Sequence, residues 1–191
     1  YGNILTKTES RWQDYLQDYE LYSQIRYEHH YIQASDYLEL PYIKTFAGNE
    51  GLSGFEIKDG NEDGKTWRID NGNLRCDAAS TDADPDILYL PALRLSSDFE
   101  ISISLHSGVS DTTHPASVSV ALCHNEENLT VSGYMADTLQ IRNTGLQDNS
   151  LRFIPEKEGI YRIALCFDNR NQNSILLMDS IKIENARPSA T

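Results

Sequence analysis

Several runs of this chain alternate apolar and polar residues in strict sequence, and no other pattern restricts its fold as much. Phe99, Ile101, Ile103 and Leu105 alternate with Glu100, Ser102 and Ser104. Successive side chains of a strand point to opposite faces, so such a run has one face in a core and one in water. Val118, Val120 and Leu122 alternate with Ser117, Ser119 and Ala121 in the same way. Tyr161, Ile163, Leu165 and Phe167 follow Gly159, and Ile175, Leu177, Ile181 and Ile183 make a last face of this kind. Shorter candidates lie at 54–57, 66–69, 87–90, 138–141 and 151–154, with turn-forming residues at 82–86, 107–115, 143–149 and 168–173. Many short strands without helical crossovers predict an all-β antiparallel sandwich from Tyr37 onward.

The first 36 residues carry a different period. Residues 1–42 hold 8 of the 11 Tyr. Trp12, Tyr15, Leu16, Tyr19 and Tyr22 recur at three- and four-residue steps, which predicts a short N-terminal helical segment from Thr6 to Arg26. Thr6-Lys7-Thr8-Glu9 and Ser10-Arg11-Trp12-Gln13 both fit a capping box. Tyr27, His29 and Tyr31 then alternate as an extended stretch would. An aromatic stripe left in water invites aggregation, so it is expected to pack on the sandwich or on a preceding domain. Glu184 through Thr191 has the composition of an interdomain linker, and position 1 is not Met. The expected organisation is a segment 1–36, a sandwich 37–185 and a linker 186–191, cut from a longer protein.

Charge and motifs remove several function classes. Sixteen Lys and Arg stand against 29 Asp and Glu, a formal charge of -13. Phosphate backbones and anionic membrane surfaces require clustered cations, so neither nucleic acid nor membrane is an expected partner. No run approaches the ~20 apolar residues of a membrane span. The three cysteines, Cys76, Cys123 and Cys166, have no C-x-x-C spacing. Cys123 and Cys166 fall late in two strands, where either a bridge or two small buried hydrophobes fits. No nucleophile elbow, zinc-protease motif or phosphate loop occurs, and the five histidines lack ligand spacing. Asp98 and Glu100 share a strand face, as paired glycosidase carboxylates do, but the row continues as Ser102 and Ser104, which reads as a solvated face. These absences point away from catalysis.

One loop carries metal chemistry. Asp59-Gly60-Asn61-Glu62-Asp63-Gly64 places oxygen-bearing side chains at alternate positions and closes on glycine. Calcium favours several oxygen ligands from a tight loop, so Asp59, Asn61 and Asp63 are candidate ligands. Asp70 falls at the twelfth position, where an EF-hand would carry Glu, and the flanks read as strand, so the loop is not an EF-hand. The competing reading is a polar turn built on Asp-Gly geometry. Asp179 falls, by strict alternation, on the inward face with Leu177 and Ile181. A buried carboxylate requires a cation, a hydrogen bond or a bulge that turns it outward. Trp67 follows the loop and either stacks on a sugar ring or packs beneath the loop.

Five motifs in order carry a resemblance. They are Leu40-Pro41-Tyr42 to Ile57, the acidic loop with Trp67, Asp86-Ile87-Leu88-Tyr89-Leu90-Pro91, the Phe99–Leu105 strand, and the pair Gly159–Leu165 and Leu177–Ile183. This order resembles the choice-of-anchor J and cleaved-adhesin modules of bacterial secreted proteins over residues 37–185. Those are jelly-roll sandwiches, similar to MAM and galactose-binding-like domains. Phe55 and the Asp86–Tyr89 stretch depart from the residues such modules commonly carry. The resemblance implies a non-catalytic accessory module, extracellular or on the cell surface. It would bind carbohydrate or extracellular protein beside neighbouring domains of its parent chain. A purely structural spacer and a glycoside hydrolase-like sandwich are the alternatives. In similar jelly rolls the last strand passes near the early loop, which would make Asp179 a fourth ligand to a structural calcium.

Overall fold

The structure, a computed structural model, describes residues 37–48, 51–60, 62–77, 85–113, 115–125, 131–168 and 174–188. The segment 1–36, with its expected helix, lies outside the described residues. What is described is all-β: β1 (Tyr42–Thr45), β2 (Glu56–Lys58), β3 (Arg68–Asp70), β4 (Asn73–Cys76), β5 (Asp86–Tyr89), β6 (Leu93–Leu95), β7 (Phe99–Val109), β8 (Ala116–Asn125), β9 (Val131–Ile141), β10 (Gln147–Phe153), β11 (Gly159–Asp168) and β12 (Leu176–Pro188). They form two six-stranded sheets. The first runs β10-β7-β12-β4-β3, with β1 also on β12; the second runs β2-β5-β11-β8-β9, with β6 also on β11. Inner faces of the two sheets close on one core. This is the antiparallel jelly-roll sandwich that the sequence predicts.

Strands β7 and β12 form its spine. Ile101, Ile103 and Leu105 point inward from β7 and are fully buried. Opposite them, Ile183 faces Ile103 and Ile181 faces Leu105. The phase of β12 then changes. Leu176 and Met178 are the buried residues, not Ile175 and Leu177 as uninterrupted alternation requires. Met178 opposes Ser107 and Ser180 opposes His106, so Asp179 has no opposite residue. One extra residue in a strand makes a bulge and shifts the alternation beyond it. Asp179 therefore leaves the inward row, and its side chain is 36% exposed. β12 also continues to Pro188, pairing Arg187 with Glu100, three residues into the stretch read as linker.

Of the short strands, β2, β3 and β5 overlap the stretches 54–57, 66–69 and 87–90 read from the sequence, whereas β1, β4 and β6 have no counterpart there, because three or four residues define no period. The signal in the sequence for β4 is Asn71-Gly72, which joins it to β3. Both residues have positive φ, +50° and +77°, the backbone of the two-residue hairpin turn that Asn-Gly favours. Cys76, Cys123 and Cys166 are buried thiols, so the Cys123–Cys166 bridge is not formed. A second, smaller apolar cluster of Ile87, Tyr89, Ala121, Cys123, Ala164 and Cys166 lies apart from the main core.

The end of β7 is closed by its neighbouring turn. Asn143 donates from Nδ2 to the carbonyls of Ser107 and Gly145, both at 2.6 Å, and accepts the Val109 N–H at 2.8 Å. Asn149 donates to Ser107 Oγ at 3.1 Å, which satisfies a fully buried hydroxyl. A Cβ on Gly108 would stand 2.7 Å from the Gly145 carbonyl oxygen, a backbone atom that cannot step aside, whereas one on Gly145 meets nothing within 4 Å. Gly108→Ala is therefore expected to cost about 1–3 kcal/mol, and Gly145→Ala less than about 0.5 kcal/mol. Urea unfolding of both variants checks this; equal midpoints would show that the turn does not press on β7.

Candidate functional site

The acidic loop is built by its own carboxylates. Asp59 Oδ2 accepts the Gly64 N–H at 2.8 Å, and Asp63 Oδ1 accepts the Lys65 N–H at 2.8 Å. Glu62 and Gly64 take positive φ, +57° and +74°, which lets the chain double back over this short span. Asn61 lies outside the described residues. Among the described residues no group of three His, Cys, Asp or Glu side chains is placed to hold a metal ion. One oxygen is left over: Asp59 Oδ1 is buried with no hydrogen-bond partner. That oxygen suits a cation, while the other named oxygens are taken by backbone donors.

Beneath the loop sits Asp86, a residue that the sequence presents only as part of a strand motif. It is 2% exposed. Its Oδ1 accepts the Gly60 N–H at 3.1 Å, its backbone carbonyl accepts Trp67 Nε1–H at 3.2 Å, and Cys76 Sγ lies 3.7 Å from Oδ2. Burial pushes its carboxyl up from 3.8 to about 6; the Gly60 N–H opposes this, and the charges of Asp59 and Asp63 add to it. Burial first, then the Asp86 charge, pushes the Cys76 thiol up as well. Trp67 is 2% exposed and meets Phe167 edge-on at 6.2 Å between ring centres. It belongs to the core beneath the loop and offers no platform to a sugar.

A continuous polar surface lies on the outer face of the first sheet. Its register sets side chains of three strands in rows. Asp148, His106 and Ser180 form one; Ser150, Ser104 and Lys182 the next; Arg152, Ser102 and Glu184 a third. β1 extends two rows with Thr45 and Ile43. In the middle of the face β7 contributes half-buried Ser102 and Ser104, flanked by Arg152 on β10 and by Lys182 and Glu184 on β12. Asp179 reaches this face from the bulge: His106 Nδ1 lies 2.8 Å from Asp179 Oδ1, and Ser180 Oγ donates to the same oxygen at 2.8 Å. A carboxylate only accepts, so Nδ1 carries the hydrogen and Nε2 is left for a ligand. The structure thus gives Asp179 two protein donors on the strand face, not an inward position beside Leu177 and Ile181.

Glu100 is held on the same face by Arg187 at 2.8 Å and Arg152 at 3.4 Å. Lys182 pairs with Glu184 at 2.7 Å. Surface pairs of this kind add about 0–1 kcal/mol each, so their main effect is to hold long side chains in place. Asp98 is in the turn before β7, so the carboxylate pair expected on one strand face does not form. Two guanidinium groups already engage the remaining member. The outward residues of β7 are legible in its alternation. Their neighbours are not, because strand order is not written in local sequence.

No family model matches the chain, and no curated protein matches it. Solved structures do match in fold. The K3 cleaved adhesin domain of Lys-gingipain from Porphyromonas gingivalis W83 superposes with a TM-score of 0.53 at 10% identity, over 75% of this chain and 98% of that one. The K1 cleaved adhesin domain of the same protein gives 0.52 at 13%, over 75% and 97%. A module described as BiXyn10A CBM1, in its apo form, gives 0.51 at 13%, over 78% and 100%. The fold is thus that of cleaved-adhesin and carbohydrate-binding modules, in line with the wider resemblance. The narrower choice-of-anchor J assignment has no matching family model.

Asp86 has a measurable signature. A carboxyl whose folded value is raised holds its proton better in the folded state. Its favourable effect is complete below pH 4 and is lost as pH rises toward 6, leaving an ionised buried group that opposes folding. Asp86→Asn keeps an acceptor for Gly60 and removes that charge. In chelator-treated buffer the variant should melt higher than the parent above pH 6, and the gap should close toward pH 4. A gap independent of pH, or a less stable variant at pH 7.5, would contradict the assignment.

Proposed function

We propose that this chain is a non-catalytic binding module of an exported protein. On this reading it takes a carbohydrate on the outer face of β10, β7 and β12. The single observation behind the proposal is the row arrangement on that face. Sugar hydroxyls both donate and accept, so a sugar is recognised by donors and acceptors fixed at close spacing. Arg152 and Lys182 donate; Asp148 and Glu184 accept; Ser102, Ser104, Ser150 and Ser180 do both. Strands about 4.8 Å apart hold these groups on a rigid frame, and the small Ser102 and Ser104 leave room for a ring. The shared fold with a carbohydrate-binding module and with adhesin domains supports this reading. It also supports placement outside the cell or on its surface, beside other domains.

A protein ligand is the second reading, favoured by Ile43, which is 60% exposed at the edge of the same face. Calcium enters as a steadying ion. Asp59, Asn61 and Asp63 would hold it, supplying the partner that Asp59 Oδ1 lacks. Asp179 is better read as part of the binding face, where His106 and Ser180 engage it.

Two measurements test the proposal. On a glycan array the full chain should retain a defined set of sugars. Ser104→Tyr, which fills the middle of the face from the solvent side, should weaken that binding at least tenfold, about 1.4 kcal/mol, with an unchanged melting temperature. An empty array favours the protein-ligand or spacer reading, and undiminished binding by Ser104→Tyr removes the ligand from this face. For the ion, calcium should raise the melting temperature of the parent and chelator should reverse it, since a ligand of the native state stabilises by mass action. Superimposable melting curves would reject a stabilising site.

A further inference from the structure

The two sheets differ on their outer faces. The first presents charged and hydroxyl side chains; the second has a polar end, where Ser117 and Ser119 of β8 meet Gln140 and Thr138 of β9, and an apolar part. On the second, Tyr89, Ala164, Ala121 and Met135 form a row across β5, β11, β8 and β9. Ile87 and Cys166 stand opposite one another in the adjacent row, and Cys123 lies beyond Ala121 on β8. These residues alternate with Leu88, Ile163, Leu165, Val120 and Leu122, which fill the main core, so they point the other way. Ile87, Tyr89, Ala121, Cys123, Ala164 and Cys166 are nevertheless only 0–1% exposed. Among the described residues only Met135, half-buried itself, packs against this cluster as a further apolar side chain. Arg162, opposite Cys123 and paired with Glu56, which stands opposite Tyr89, shields one end of this face; a tyrosine and an isoleucine on the rest of it would still keep much of their surface in water, so another part of the chain covers them.

We infer that residues 1–36 seat their aromatic stripe on this face. The other stretches outside the described residues are short and polar: 78–84 reads Ala-Ala-Ser-Thr-Asp-Ala-Asp, 126–130 Glu-Glu-Asn-Leu-Thr, and 169–173 Asn-Arg-Asn-Gln-Asn. Residues 1–36 alone combine length with apolar surface in Trp12, Tyr15, Leu16, Tyr19 and Tyr22. They also end at the right place. Leu38 bridges Leu93 of β6, with its N–H on the Ala92 carbonyl at 2.8 Å and its carbonyl on the Arg94 N–H at 3.0 Å. β6 pairs with β11, the strand that carries Ala164 and Cys166. The dimensions agree. A helical stripe from Trp12 to Tyr22 is about 15 Å long at 1.5 Å per residue, and four strands span about 14 Å. The floor of Ala121, Cys123, Ala164 and Cys166 is low enough for rings to enter between Tyr89 and Met135. The segment is then a third layer of the domain. The first sheet is left as the open face, so the binding reading and this inference occupy opposite sides of the molecule and are tested apart.

The thiols on this face report on its cover. In the full chain Cys123 and Cys166 should react with iodoacetamide as slowly as Cys76, which lies in the main core; burial pushes the Cys123 thiol up to about 12. The double variant Leu16→Asp, Tyr19→Asp should accelerate alkylation of Cys123 and Cys166 at least tenfold and leave Cys76 protected. Unchanged rates at Cys123 and Cys166 in a folded variant would overturn the inference. Should the variant lose Cys76 protection as well, it has unfolded and a second measurement decides. Under mild oxidation Leu16→Cys should form an intramolecular disulfide with Cys123 or Cys166, and Gln17→Cys should not. Disulfides only between chains would assign the cover to a second copy, and equal yields from both positions would remove the stripe from this face; either result contradicts the proposal.

Discussion

The eleven-residue β7 strand paired along β12 is the constraint on which the molecule depends. Its register decides which residues enter the core and, by the same alternation, which line the open face. A slip of one residue would send Ser102 and Ser104 inward and Ile101 and Ile103 into water. Burying a Leu or Ile side chain is worth roughly 1.5–3 kcal/mol, so several such residues on each strand fix the register firmly. The polar rows across β10, β7 and β12 are the other side of that same choice. The bulge at Asp179 adds a local exception. It lets β12 keep Met178 inward while carrying a carboxylate to His106 on the outer face.

The acidic loop shows structure and charge in opposition. Asp59 and Asp63 spend carboxylate oxygens on the N–H groups of Gly64 and Lys65, as polar turns do. Below them Asp86 ties Gly60, Trp67 and Cys76 to the second sheet at the cost of a carboxyl forced toward neutrality. Three carboxylates near one another repel, and a chain of charge -13 offers little relief. A proton on Asp86 relieves part of it below about pH 6; the calcium proposed for the loop would do so at neutral pH.

How much of this is legible in the sequence depends on the kind of signal. Long strands are legible because alternation over seven or more residues has one physical meaning, and β7, β8 and β11 follow it. The sandwich follows from their number and from the absence of helical crossovers. The bulge is not legible, since one inserted residue leaves both halves of β12 looking regular. Nor is Trp67 settled by sequence: burial beneath the loop depends on Asp86 arriving from another strand to accept its indole N–H. His106 has no metal spacing and is silent until Asp179 and Asp148 are brought beside it. The cluster around Ala164 and Cys166 hides in sequence because small residues on a polar-alternating strand look like ordinary exposed positions.

The two sheets are asymmetric: the first presents a polar outer face, and the apolar part of the second sheet's outer face is the one inferred to be covered by residues 1–36. Hydroxyl-radical footprinting of the intact chain reads both faces in one experiment. His106 and Arg152 on the first sheet should be oxidised at rates close to those of the unfolded chain. Tyr89, Cys123 and Cys166 on the second should be protected by an order of magnitude or more. Comparable oxidation of Tyr89, Cys166 and His106 would show that the second sheet is as open as the first, and would contradict the division of the two faces.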